Sequence, residues 1–273
     1  MLKERLLTVA ILLPLVLGLM FFAPNPVWGV VIGIAVATAA VEWARLCGLK
    51  ARGQALFATL VGASGAAWLA AAAVPEWGRM HFLMSQSVLA VAVLFWVVAV
   101  PWWLHFGWRV AHRGALLAVG WLVLVPAWLA VTLLQRTPLL LLLAMSAVWL
   151  ADTAAYFAGR LFGRHKLAPR ISPGKTIEGL VGAYVLVLVY VLVMSMILRP
   201  QAAGSERIAL LVFALVLTTL SVAGDLFESW MKRQVGAKDS GRLLPGHGGV
   251  LDRIDSMTAA MPFAALYLVH AAR

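Results

Sequence analysis

"LLVFALVLTTLSVAGDLFESWMKR", residues 210 to 233, begins without a single ionisable side chain and ends in four acids and bases within nine residues, if Arg233 is counted with Asp225, Glu228 and Lys232. An apolar run of this kind, extended to about 20 residues, is what a helix needs to cross a bilayer. Only helices and closed barrels satisfy their backbone in lipid, and the strict alternation of a barrel strand is missing here. The run is therefore helical. Asp225, Glu228 and Lys232 follow one another at spacings of three and four, so they share one helix face, with Ser221 one turn earlier. An ionised aspartate costs roughly 2.5 to 3.5 kcal/mol at the centre of a spanning helix and less near its end, so Asp225 requires a compensating partner. Either a self-neutralising helix end or a functional site supplies one.

The pattern recurs along the chain. Of its 273 residues, 63% are hydrophobic and 12% charged, against roughly a quarter charged in a soluble domain. Nine apolar runs stand out, at residues 6 to 23, 27 to 45, 54 to 74, 82 to 104, 114 to 134, 138 to 159, 178 to 198, 207 to 228 and 254 to 270. The expected fold is an all-α polytopic membrane protein of about nine spans. The first run is read as a span, since no small-x-small cleavage site follows it and further spans do. With the amino terminus in the cytoplasm, seventeen of the 22 Lys and Arg residues fall on the inner side and five outside. The net charge of +11 is thus a topology signal, and nucleic acid is not an expected partner. Cys47 is the single cysteine, which excludes disulfides within the chain and thiolate metal clusters.

The two halves differ. Residues 1–136 hold only Glu4, Glu42 and Glu76 as acids, and they read as a transmembrane scaffold of about five helices. Trp28, Trp77, Trp102, Trp103 and Trp108 lie near predicted span ends, as interfacial anchors do. Glu42 and Arg45, one turn apart, are expected to form a local ion pair. Residues 137–273 carry the other eight acids and read as a catalytic half of about four helices with two cytoplasmic polar loops.

One of those loops, "KDSGRLLPGHGGVLDRID" at 238 to 255, surrounds His247 with Gly246, Gly248 and Gly249 and puts Asp252 and Asp255 at the start of the last span. Glycines there break the helix and let backbone N–H groups approach an anion. Carboxylate-bearing helix ends joined by such a basic loop suit a hard cation with phosphates, and Mg²⁺ fits. The other loop, "RHKLAPRISPGKTIEG" at 164 to 179, contains a "GKT" without the upstream glycine of a P-loop, since position 169 is Pro. No strand is expected before it. A turn at Ser172-Pro173-Gly174 is expected instead, with Lys175 for phosphate and Thr176 or Glu178 near the next helix start. Asp152, Tyr156 and Arg160, at four-residue intervals on the sixth span, offer a further costly carboxylate. Asp152 could position Lys175, bind substrate or pair with Arg160. No Ser-His-Asp order or HExxH supports hydrolase chemistry.

The segment "SWMKRQVGAKDSGRLLPGHGGVLDRID", Ser229 to Asp255, resembles the signature of the phosphatidate cytidylyltransferase (CDP-diacylglycerol synthase) family. Ser229, Lys232, Arg233, Lys238, Asp239, Gly241, Leu244, Pro245, His247, Gly248, Gly249, Asp252, Arg253 and Asp255 all fit its pattern. "SPGKTIEG" at 172 to 179 and "ADTAAYFAGR" at 151 to 160 are similar to the family as well. The first half resembles it only in being hydrophobic and multi-spanning. The resemblance implies conversion of CTP and phosphatidate to CDP-diacylglycerol and pyrophosphate by a dimeric membrane enzyme. It also implies Mg²⁺ with K⁺ between Asp225 and Asp252.

On this reading Asp225, Lys232, Asp252 and His247 are catalytic, and Asp225, Asp252, Asp255 and Glu228 are the metal candidates. Substrate contacts fall to Ser172, Lys175, Glu178, Arg233, Lys238, Asp239, Gly248, Gly249, Arg253 and Asp152. The site faces the cytoplasm of a bacterial inner membrane. Competing readings are another CTP-using lipid enzyme, such as a polyprenol kinase or an archaeal-lipid cytidylyltransferase, and a transporter of an anionic solute.

Overall fold

The computed structural model describes the backbone of residues 2–243 and 248–271 and the side chains of 10–243 and 248–269. Helices occupy every predicted span. They are α1 (Leu2–Phe22), α2 (Asn25–Leu46), α3 (Ala51–Ala72), α4 (Gly78–Leu94), α5 (Val100–Phe106), α6 (Arg113–Leu134), α7 (Pro138–Phe162), α8 (Ile177–Leu198), α9 (Gly204–Gln234) and α10 (Leu251–Ala271). A π-helical turn, Phe95–Ala99, joins α4 to α5 just before Pro101. Such a turn is one way a helix takes in a proline, whose missing N–H would otherwise interrupt the ladder. Among the described residues seven helical segments are long and apolar enough to cross a membrane: α2, α3, the continuous run Pro75–Phe106, α6, α7, α8 and α9.

The fold is mostly helical, with one exception to the all-α expectation. Strands β1 (Lys166–Ala168) and β2 (Ser172–Thr176) form an antiparallel hairpin between α7 and α8. The turn expected at Ser172-Pro173-Gly174 is extended strand instead, and "GKT" lies within that strand. The chain reverses at 169–171, where the Ile171 N–H donates to the Ala168 carbonyl at 3.1 Å. Pro169 explains the choice, since its fixed φ suits the second position of a β-turn that begins at Ala168.

Helix α6 is the inner post of the first half. Trp128 lies against Gly33 of α2 and Gly65 of α3, where any Cβ would collide with its ring, and its Nε1 donates to the Gly29 carbonyl at 2.7 Å. Small residues at such crossings let spanning helices approach closely. Phe227 ties α9 to this half, with ring centroids 5.4 to 6.3 Å from Trp103, Trp96, Phe95 and Trp43.

Two of the expected interfacial tryptophans belong to the interior. Trp28 is buried and donates to the Val131 carbonyl at 3.3 Å, and buried Trp103 donates to that of Trp108 at 2.9 Å. Each indole N–H is satisfied by a backbone carbonyl, which removes its reason to seek the interface. Trp77, Trp102 and Trp108 are exposed.

Candidate active site

Helices α9 and α10 cross so closely at Gly224 that a Cβ there would strike the Asp255 carbonyl. That crossing brings the acids of both helices to one place. Asp225 accepts from Ser229 Oγ at 3.2 Å and pairs with Lys175 Nζ at 2.6 Å, which fastens β2 to α9. About two turns beyond Asp225, Lys232 is buried between two carboxylates, 2.7 Å from Glu228 Oε2 and 2.7 Å from Asp252 Oδ1. Asp252 also accepts the backbone N–H of Ser240 at 2.9 Å and of Gly249 at 2.8 Å. A buried lysine shared in this way is strongly held, and removing it would strand two buried carboxylates.

Asp152 of α7 reaches the same place and accepts from Ser256 Oγ at 3.3 Å. The charge of Asp225 repels both Asp152 and Asp255. They line a cavity of about 560 Å³ together with Arg160, Ser172, Lys175, Asp252 and Arg253. Arg160 donates to Tyr156 Oη at 3.0 Å. Among the described residues no group of three or more His, Cys, Asp or Glu side chains is placed to hold a metal ion. The donors are carboxylate and hydroxyl oxygens at the rim of a large cavity, and that chemistry fits a hard cation that completes its shell from substrate and water.

Other predicted residues stand elsewhere. Glu178 is turned toward the hairpin's entry, where it accepts from His165 Nδ1 at 2.7 Å and from the His165 backbone N–H at 3.2 Å. Arg233 spans from the Ile171 carbonyl at 3.3 Å to that of Ala237 at 3.1 Å and faces a second cavity. Lys238 and Asp239 are exposed and do not line the acidic cavity. Gly248 has φ +81°, and a Cβ there would come 2.8 Å from Asp252 Oδ2, so glycine is required on both counts. His247 lies outside the described residues.

Glu42 overturns its expected ion pair with Arg45. It is buried, and it accepts from Leu251 N–H at 2.8 Å, Val250 N–H at 3.1 Å and Ser240 Oγ at 3.1 Å. The N–H groups of α10's first turn have no partners within the helix, and a carboxylate is their best acceptor. Gly241 and Gly249 are packed so closely on Glu42 that a Cβ at either would overlap its carboxylate. The scaffold half thus holds the glycine-rich segment that presents Asp252. One sequence signal was available: an acid inside an apolar span must find a partner, and a local arginine at the surface is not the only way to supply it.

The architecture is that of a polytopic membrane protein with a charged cavity at helix ends. The chain belongs to the cytidylyltransferase family, whose sequence profile matches residues 3–271. It is 42% identical to the phosphatidate cytidylyltransferase of Pseudomonas aeruginosa, over 97% of each chain. It is 34% identical to that of Haemophilus influenzae over 98% of each. A phosphatidate cytidylyltransferase of Staphylococcus saprophyticus is 46% identical over 47% of this chain and 48% of its own.

Proposed function

We propose that this chain transfers the cytidylyl group of CTP to phosphatidate, giving CDP-diacylglycerol and pyrophosphate for phospholipid synthesis. The observation that carries the reading is the cavity where Asp152, Asp225 and Asp255 meet Lys175 and Arg253 at the ends of apolar helices. Phosphatidate can leave its acyl chains in the bilayer while its head group enters from the side. CTP arrives from water.

A phosphate oxygen of phosphatidate attacks the α-phosphorus of CTP in line. The bond from that phosphorus to the bridging oxygen breaks, and pyrophosphate departs with the electron pair. The attacking phosphate is already ionised near neutral pH, so the reaction needs no general base. The residues' work is to neutralise and align two anions. Lys175 exchanges Asp225 for a phosphate oxygen, and Arg253 lines the same cavity. Lys232 and the backbone N–H of Gly249 fix Asp252. Bound Mg²⁺ supplies further neutralisation of phosphate charge. Asp225 and Asp255, which line the cavity, would be its first candidates to hold it, with Asp252 and Glu228, now paired with Lys232, as the others. K⁺ is a second candidate cation.

The topology that serves this reaction has nine crossings, a cytoplasmic amino terminus and a cytoplasmic site in a bacterial inner membrane. The expected assembly is a homodimer. The test is purified protein with labelled CTP, phosphatidate and Mg²⁺, followed by product identification. Labelled CDP-lipid is expected, and Asp225→Asn should lower turnover most at limiting Mg²⁺. Labelled phosphoprenol from a prenol substrate, or solute uptake into vesicles without turnover, would sink the proposal.

A further inference from the structure

A second cavity, of about 710 Å³, lies across the hairpin from the acidic one, and Leu167 of β1 lines both. Its walls come from the end of α5, the turn of the hairpin and the last turns of α9. Arg109, Arg170 and Arg233 line it with His105, and no Asp or Glu does. Among the described residues neither Arg109 nor Arg170 has an ion-pair partner. Arg233 spends its hydrogen bonds on carbonyls, which cancel none of its charge. Three guanidinium groups around one cavity repel one another and favour an anion that can accept from several at once.

The rest of the lining says where that anion comes from. Leu104, Phe106, Leu226 and Trp230 make the rest of the wall largely apolar, with Gln234 at its edge the exception. Beside it Trp102, Phe106 and Trp108 form an exposed stack, with ring centroids 5.3 Å and 6.2 Å apart. Exposed aromatic stacks at the end of a spanning helix mark the depth of lipid head groups. A soluble phosphate has no use for such a wall, whereas a lipid phosphate brings acyl chains that cover it.

We propose that this arginine-lined cavity binds the head group of an anionic phospholipid, in addition to any lipid held in the acidic cavity. The site does not depend on the cytidylyl-transfer reading, and it is tested without CTP or Mg²⁺. Full-length protein in neutral detergent is titrated with phosphatidylglycerol or phosphatidylcholine, and retained lipids are counted by native mass spectrometry. The wild type is expected to hold one phosphatidylglycerol that the Arg109→Gln/Arg170→Gln variant binds at least about tenfold more weakly. Each single variant falls between. An Arg52→Gln/Arg164→Gln pair, which removes two exposed charges away from the cavity, keeps the lipid. Equal retention by wild type and the cavity variant would overturn the proposal. So would equal loss in the control pair, or no preference for phosphatidylglycerol over phosphatidylcholine. Displacement of the arginine-dependent lipid by millimolar pyrophosphate would also overturn it, by showing that the cavity serves soluble phosphates.

Discussion

Glu42 is the residue on which the two halves meet. Its carboxylate accepts from Ser240, Val250 and Leu251, and Asp252 follows directly in the chain. Glu42→Gln keeps the volume but turns an amide N–H₂ toward donors, so some of those bonds are lost. A buried donor left unsatisfied costs about 1 to 3 kcal/mol, which thermal unfolding in detergent would register. Activity should suffer more than stability, because a shift of about 1 Å in a positioned group can cost on the order of 10²-fold in rate. Arg45→Gln, one turn away and exposed, should leave turnover nearly unchanged. Full turnover in Glu42→Gln, or the same loss in both variants, would remove Glu42 from the positioning of Asp252.

At the scale of elements, the α9–α10 crossing decides whether there is a site at all. Gly224→Ala puts a methyl against the Asp255 carbonyl and must push the helices apart, whereas Gly62 on α3 faces open space. Overpacking costs about 1 to 3 kcal/mol, so Gly224→Ala should lower the melting temperature and sharply reduce CDP-lipid formation. Gly62→Ala should do neither. A fully active Gly224→Ala enzyme would mean that the spacing of Asp225 and Asp255 is not critical. This level of structure was legible in part. The run at 210–233 announced its own helix, and the four-residue spacing of Glu228 and Lys232 announced their pair. The hairpin was not legible, because strands of three and five residues carry too little pattern to outweigh the glycine and proline of "SPGK". The turn chemistry of Pro169 was present but competed with that of Pro173. Glu42 was hidden for a different reason: its partners lie about two hundred residues away, and two of them are backbone N–H groups that leave no trace in residue type.

For the whole molecule, the distribution of charge predicts an orientation in the bilayer. Arg164 sits between α7 and the hairpin, at the end of the bundle that holds the acidic cavity, while Arg199 follows α8 at the opposite end. The excess of basic residues on the cavity's side predicts that this side faces the cytoplasm, where both CTP and anionic head groups are available. The one native thiol, Cys47, is buried and gives little background labelling. Arg164→Cys should therefore react with a membrane-impermeant maleimide only in inverted vesicles, and Arg199→Cys only in right-side-out cells. The reverse pattern would turn the cavity away from CTP and make cytidylyl transfer from the cytoplasmic pool impossible. Labelling of both positions from the same side would require an even number of crossings between them, and α8 is a single apolar helix of 22 residues, about the length that crosses once.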